Sequence, residues 1–258
     1  MSIDVVDLRT FYSQGLGIVA RRFVGRGIRA RWSNVAGQRV MGLGYPTPYL
    51  GLFREEAERC LAFMPAAQGV IKWPTERPAL SALVDAHELP LTDAAVDRVL
   101  LVHALEMAHD PMALMREIWR VLSPNGRILA IVPNRRGLWA RTDTTPFGNG
   151  RPYSKSQITH ILRETWFTPS GWGEALYVPP FRRGWFLRSA IAWERAGASL
   201  SAPMAGVHIV EATKQVYRAI PARRESRRLV PSLEPVLAPS PGGAARVAAP
   251  CKDPLASA

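Results

Sequence analysis

The chain has 258 residues, 47% of them hydrophobic, and a formal net charge of +12 at pH 7. That length suits one substantial α/β domain with a full core. No apolar run approaches the ~18 residues that cross a bilayer, the opening MSIDVVDLRT lacks a signal-peptide core, and two cysteines make neither a disulfide framework nor a metal site, so a cytoplasmic protein without a bound metal is expected.

The positive charge is unevenly spread. Residues 41–133 hold 8 Lys/Arg against 11 Asp/Glu, while the rest of the chain holds 25 against 10. Such a periphery attracts anionic partners, nucleic acid or an acidic protein among them. A solvated, arginine-rich surface is the simpler account of it.

In chain order, LGIVARRFVGRGIRARW (16–32) places Leu16, Val19, Ala20, Phe23, Val24, Ile28 and Trp32 at helical spacing. Segment 1–37 is therefore expected to be helical and to dock on the core that follows. QRVMGLGYPTPYL (38–50) reads as a strand running through a glycine turn into a helix, with Thr47 as its cap, Pro48 in its first turn and its end near Leu61. GVIKW (69–73), SALVDA, VDRVLLVHA and GRILAIVPN read as buried strands. Asp110 and Pro111 open a helix whose apolar face is Met112, Met115, Ile118, Trp119 and Leu122, and SPNG (123–126) is a type I turn signal. SKSQ (154–157) fits a capping box ahead of Ile158, Ile161, Leu162 and Trp166. Two further strand-like segments are 175–178 and 208–218.

Strands alternating with helices predict a three-layer, Rossmann-like α/β fold with helices on both faces of a mostly parallel sheet. The expected division is a docking segment over 1–37, a core domain over 38–220 and a disordered tail over 221–258, where seven prolines fall without periodicity. The loop NRRGLWARTDTTPFGNGRPYSK (134–155) is long enough to be a lid or a solvated excursion. As a lid, it offers Arg135, Arg136, Arg141 and Arg151 to an acidic substrate.

One stretch carries a resemblance. Asp85, Leu89-Pro90, Asp97, His103 to His109, Asp110-Pro111 and Pro124 to Gly126 stand in the order and spacing of class I S-adenosylmethionine-dependent methyltransferases of the type 11 group. The resemblance implies a seven-stranded sheet with an antiparallel last strand and S-adenosylmethionine at the carboxyl ends of the first strands. Carried across, it implies that Gly42, Leu43, Gly44 and Tyr45 meet the methionine and ribose parts of the cofactor. Asp85 takes the adenine amine, Ala86 supplies backbone, and His103 borders the methyl position. The cofactor turn departs from the family pattern: the first-strand acid is Gly42, the ribose acid falls on Trp73, and Pro46 and Pro48 stand in the turn. Methyl transfer mainly needs an aligned nucleophile, so no acid–base residue is assigned. The expected function is a methyltransferase acting on a small or anionic substrate. The alternative is a non-catalytic domain of the same fold that binds a partner through its basic periphery.

Overall fold

A computed structural model describes residues 3–181, 188–199 and 204–216. The chain opens with α1 (Val5–Ser13) and α2 (Gly15–Arg31), followed by β1 (Arg39–Gly44), the short α3 (Thr47–Leu50), β2 (Arg59–Pro65), β3 (Ser81–Val84) and β4 (Val96–Val102). Then come α4 (Pro111–Val121), β5 (Leu122–Pro133), α5 (Lys155–Glu164), β6 (Phe167–Ala175), α6 (Ala190–Ser199) and β7 (Val207–Lys214). The seven strands form one sheet in the order β3-β2-β1-β4-β5-β7-β6. All neighbours run parallel except β7, which is antiparallel to β5 and β6. The order reverses direction between β1 and β4, the switch point where open α/β sheets take their ligands.

Alternate residues of each central strand face two separate cores, which makes the three layers. Val40, Ala62, Leu100 and Leu129 pack under α1, α2 and α3. Met41, Phe63, Val99 and Ile128 pack under α4 and α5. On α2, Leu16, Ala20, Phe23, Val24 and Ile28 are buried, and the helix docks on its own domain with Arg21, Arg22 and Arg26 outward. Asp110 caps α4 by accepting from the Met112 and Ala113 amides, and Ser154 and Gln157 make the capping box of α5.

Several expectations need correction. The helix expected to reach Leu61 ends at Leu50, because residues 51–58 continue only as turns and CLAFMP is the second strand. A short apolar run fits a buried helix or a buried strand equally, and here pairing with β1 from Arg39↔Arg59 onward decides for strand. Segment 69–73 is consequently a loop. Ser81 ties it down, taking the Trp73 amide at 3.0 Å and donating to the Ile71 carbonyl at 2.7 Å. SPNG is not a separate turn but an irregularity inside β5, with Asn125 at φ +63° and a register shift between Val96 and Arg98. The strand expected at 175–178 ends at Ala175, and the one expected to reach 218 is β7. The tail expected over 221–258 lies outside the described residues.

At the amino ends of the central strands, away from the switch-point crevice, Asp97 joins β4 to β1 and β5. It takes the Arg39 amide at 2.9 Å, the Arg39 guanidinium at 2.9 and 3.0 Å, and the Ser123 hydroxyl at 2.9 Å. The Arg39 guanidinium first, and the amide and hydroxyl with it, hold the Asp97 carboxyl down at about 2. A carboxyl lower in the folded than in the unfolded chain stabilises fully above its unfolded value, near 3.9, and loses that contribution as pH falls through about 2. Asp97→Asn is expected to lower stability by about 1–2 kcal/mol at neutral pH, after discounting for the solvent that reaches the pair. Urea denaturation should show that difference closing as the pH falls through this window; a constant difference would exclude the linkage.

Candidate functional site

At the carboxyl end of β1 the chain turns hard against β4. Gly44 sits at φ +95°, a region open to glycine and costly for other residues. A Cβ there would run into the Val102 carbonyl oxygen and come within 2.9 Å of the Ala104 side chain. The Tyr45 amide donates to that same carbonyl at 2.7 Å. At Gly42 a Cβ would overlap the Pro46 ring and come within 2.8 Å of Leu50 Cδ1. The proline in the turn therefore occupies the space into which a side chain at position 42 would project.

Beside this turn, at the carboxyl ends of β1 to β4, lies a cavity of about 290 Å³. Its apolar walls include Leu43, Val84, Ala86, Met107 and Leu114, and its polar groups include Gln68, Asp85 and His103. Asp85 follows β3, its side chain 67% exposed, and accepts from the His87 amide at 2.8 Å. That amide holds the carboxyl below the usual range, so the group is an anionic acceptor at neutral pH. Gln68 follows β2 and is buried; its Nε2 donates to the His103 carbonyl at 2.5 Å. Its Oε1 has no hydrogen-bond partner. An unmet buried acceptor costs about 1–3 kcal/mol, so a donor from a ligand at this wall would be favoured.

His103, directly after β4, adopts φ +50° and is fully buried. Its Nδ1 lies 3.1 Å from Glu106 Oε1 and its Nε2 2.9 Å from the Tyr12 hydroxyl. With Nδ1–H donating to Glu106 Oε1, Nε2 is left to accept from the Tyr12 hydroxyl. Tyr49 donates in turn to Tyr12 at 3.4 Å. Burial raises the Tyr12 phenol well above its ordinary value, which keeps it a donor. The Tyr12 ring also stacks on Tyr45 with centroids 5.7 Å apart.

Of the expected site residues, Leu43, Asp85, Ala86 and His103 come together on the cavity, and Gly42, Gly44 and Tyr45 form the adjoining turn. Trp73 does not join them. It lies eight residues beyond the end of β2, half-buried against the core under α1 and α2. The position at the end of the second strand belongs to Pro65, and Gln68 is the polar side chain that follows it. Arg135, Arg136, Arg141 and Arg151 are all exposed. Only Arg136 lines a described cavity, a second one of about 530 Å³ shared with Lys155, Glu174 and His208. There Glu174 pairs with Lys155 at 2.9 Å, so that lining is mixed in charge. The loop carrying these arginines is anchored by Trp139 and Phe147, both buried, and Phe147 packs on His103 with centroids 4.8 Å apart.

Gln68 escapes the sequence expectations because the second strand was expected after it. Tyr12 escapes because, within the helical segment expected over 1–37, apolar spacing was followed only from Leu16 onward. Its signal is present: Asp4 caps α1 by accepting from Val6, and Val5, Leu8, Phe11 and Tyr12 recur at helical spacing.

Residues 25–130 match the family of the methyltransferase domain. This match and the strand order are those of the class I S-adenosylmethionine-dependent methyltransferase fold. No curated protein sequence matches the chain. Among solved structures, the [4+2]-cyclase SpnF is similar, with a TM-score of 0.55, 24% identity, and 77% of this chain and 82% of that one covered. So is the Haloferax volcanii complex of the Trm112 methyltransferase activator with a putative methyltransferase, with a TM-score of 0.56, 17% identity, and coverage of 75% and 89%. An S-adenosylmethionine-dependent methyltransferase from Mesorhizobium loti gives a TM-score of 0.53, 16% identity, and coverage of 73% and 96%. Among the described residues, no helix is long and apolar enough to cross a membrane.

Proposed function

We propose that this chain is an S-adenosylmethionine-dependent methyltransferase that holds the adenosine part of its cofactor between Asp85 and Gln68. The observation that carries this reading is that Gln68, whose buried Oε1 has no partner, lines the same cavity as Asp85 at the carboxyl ends of the first strands. Asp85 offers a carboxylate to the adenine amine, Leu43, Val84 and Ala86 form an apolar wall for the base, and Gln68 Oε1 accepts from a ribose hydroxyl. Gln68 thereby does the work expected of an acid after the second strand, with one neutral acceptor in its place. When bound, the cofactor supplies an electrophilic methyl group on a sulfonium. The acceptor is a small or anionic molecule that approaches past the loop of residues 134–153, where the four exposed arginines lie.

The fold by itself does not determine the chemistry: the similar SpnF structure is described as a [4+2]-cyclase. A second reading, a ligand-binding domain without methyl transfer, is favoured by one observation, the Tyr12 ring lodged between Tyr45 and His103. Isothermal titration with S-adenosylhomocysteine decides whether the cofactor site is open to use. Binding is expected, and Asp85→Ala and Gln68→Ala should each weaken it about five- to tenfold, the worth of one hydrogen bond. Absence of heat at millimolar ligand would remove the cofactor reading.

A further inference from the structure

The crevice between β1 and β4 is where this sheet order places a ligand, and a side chain from outside the sheet fills it. Tyr12 on α1 stacks on Tyr45, which follows β1, and hydrogen-bonds His103, which follows β4. It is buried there with Tyr45 and Tyr49, and Phe11 beside it meets Phe147 at 6.2 Å. The open cavity lies to one side, toward β2 and β3. Its volume of about 290 Å³ is at the bottom of the range that takes a drug-sized ligand. The fit is therefore one-sided: acceptors for a nucleoside are in place, while the path for an amino-acid tail along the glycine turn is closed.

We infer that α1 is a gate on the cofactor site: in the structure seen here the cavity accepts an adenine nucleoside, and a ligand carrying the amino-acid tail enters only when Tyr12 leaves the β1–β4 crevice. This rests on the cofactor reading above and adds which ligands each state takes. Three observations fit a gate better than a fixed plug. The closed arrangement leaves Gln68 Oε1 and Glu106 Oε2 buried without partners. The polar ties of α1 to the site are few: Tyr12 to His103 and to Tyr49, and the Val5 amide to the Gln68 carbonyl at 2.8 Å. Finally, α1 joins α2 through the extended residue Gln14 and backs closely onto Gly17, where a Cβ would come within 2.7 Å of Tyr12 Cα.

The test is titration of the full chain with adenosine and with S-adenosylhomocysteine, in the parent, Tyr12→Phe and Gly17→Ala proteins. Tyr12→Phe keeps the ring but leaves His103 Nε2 unpaired in the closed state. Gly17→Ala pushes α1 off its seat without touching the cavity. Both are expected to tighten S-adenosylhomocysteine about tenfold, the factor by which a competent state populated at roughly 10% weakens apparent affinity. Adenosine should change by less than about twofold, since it needs no opening. Amide exchange over Val6–Tyr12 should accelerate on adding S-adenosylhomocysteine and not on adding adenosine. An unchanged ratio of the two affinities in both variants, with both ligands bound, would overturn the gate and leave the cofactor reading standing. Failure of either ligand to bind any of the three proteins would overturn both. A variant that does not fold leaves the other and the exchange measurement to decide.

Discussion

Gly44→Val is expected to cost the domain about 3–5 kcal/mol, the sum of backbone strain at positive φ and overpacking against β4. The φ of +95° alone disfavours a branched side chain, and the added Cβ would be driven into the Val102 carbonyl that the Tyr45 amide uses. For a folded body of this size, that loss lowers the thermal midpoint by roughly 10 °C. Loss of S-adenosylhomocysteine binding should accompany it, because the β1–β4 junction carries both Leu43 and His103 into the cavity. Thermal unfolding followed by circular dichroism checks the first part and titration the second. A midpoint within about 2 °C of the parent would show that the turn yields and that the close approach is not needed.

The second large effect concerns the acid that the family carries in its first strand. Gly42→Asp is expected to destabilise by about 2–4 kcal/mol, in the upper range for overpacking with a charge added. Its Cβ would overlap the Pro46 ring. Gly42→Asp combined with Pro46→Gly should recover at least half of that loss, because removing the ring opens the space. A double-mutant cycle on urea denaturation reads the coupling, expected at about 1–2 kcal/mol for residues in direct contact. Additive losses would place the strain elsewhere. The missing acid and the proline in the turn are thus one feature: Pro46 fills the volume that an acid at position 42 would require.

The elements legible in the sequence are those whose signals are local. β4, β5 and β7 declare themselves as apolar runs between polar turns, and α4 and α5 as caps followed by an apolar face at helical spacing. Asp85, Leu43 and His103 reach the cavity because each closes a strand end that the order of motifs already located. The second strand was not legible in this way. CLAFMP and GVIKW are both short apolar runs, and only parallel pairing of Cys60 with Val40 and Leu61 with Met41 selects the first. With that choice, Gln68 takes the place beside the cavity and Trp73 moves out onto a loop. The four arginines illustrate the opposite case: the length of their loop offered them as part of a lid or of a solvated excursion, and in the structure all four are exposed, with Arg136 lining the cavity beside Lys155 and Glu174.

By itself the sequence determined the α/β framework, the two helix caps and the glycine turn at Gly44, since each follows from periodicity, capping or backbone sterics within a few residues, while Asp85 was singled out by the resemblance alone. What occupies the crevice at the end of β1 and β4 was decided only in three dimensions. Tyr12 and His103 are 91 positions apart and meet because α1 folds back across the sheet. Gln68 reaches His103 from 35 positions away once β2 is paired. Such contacts depend on which strands neighbour each other and on how closely α1 packs on α2 at Gly17. No window of local sequence records either.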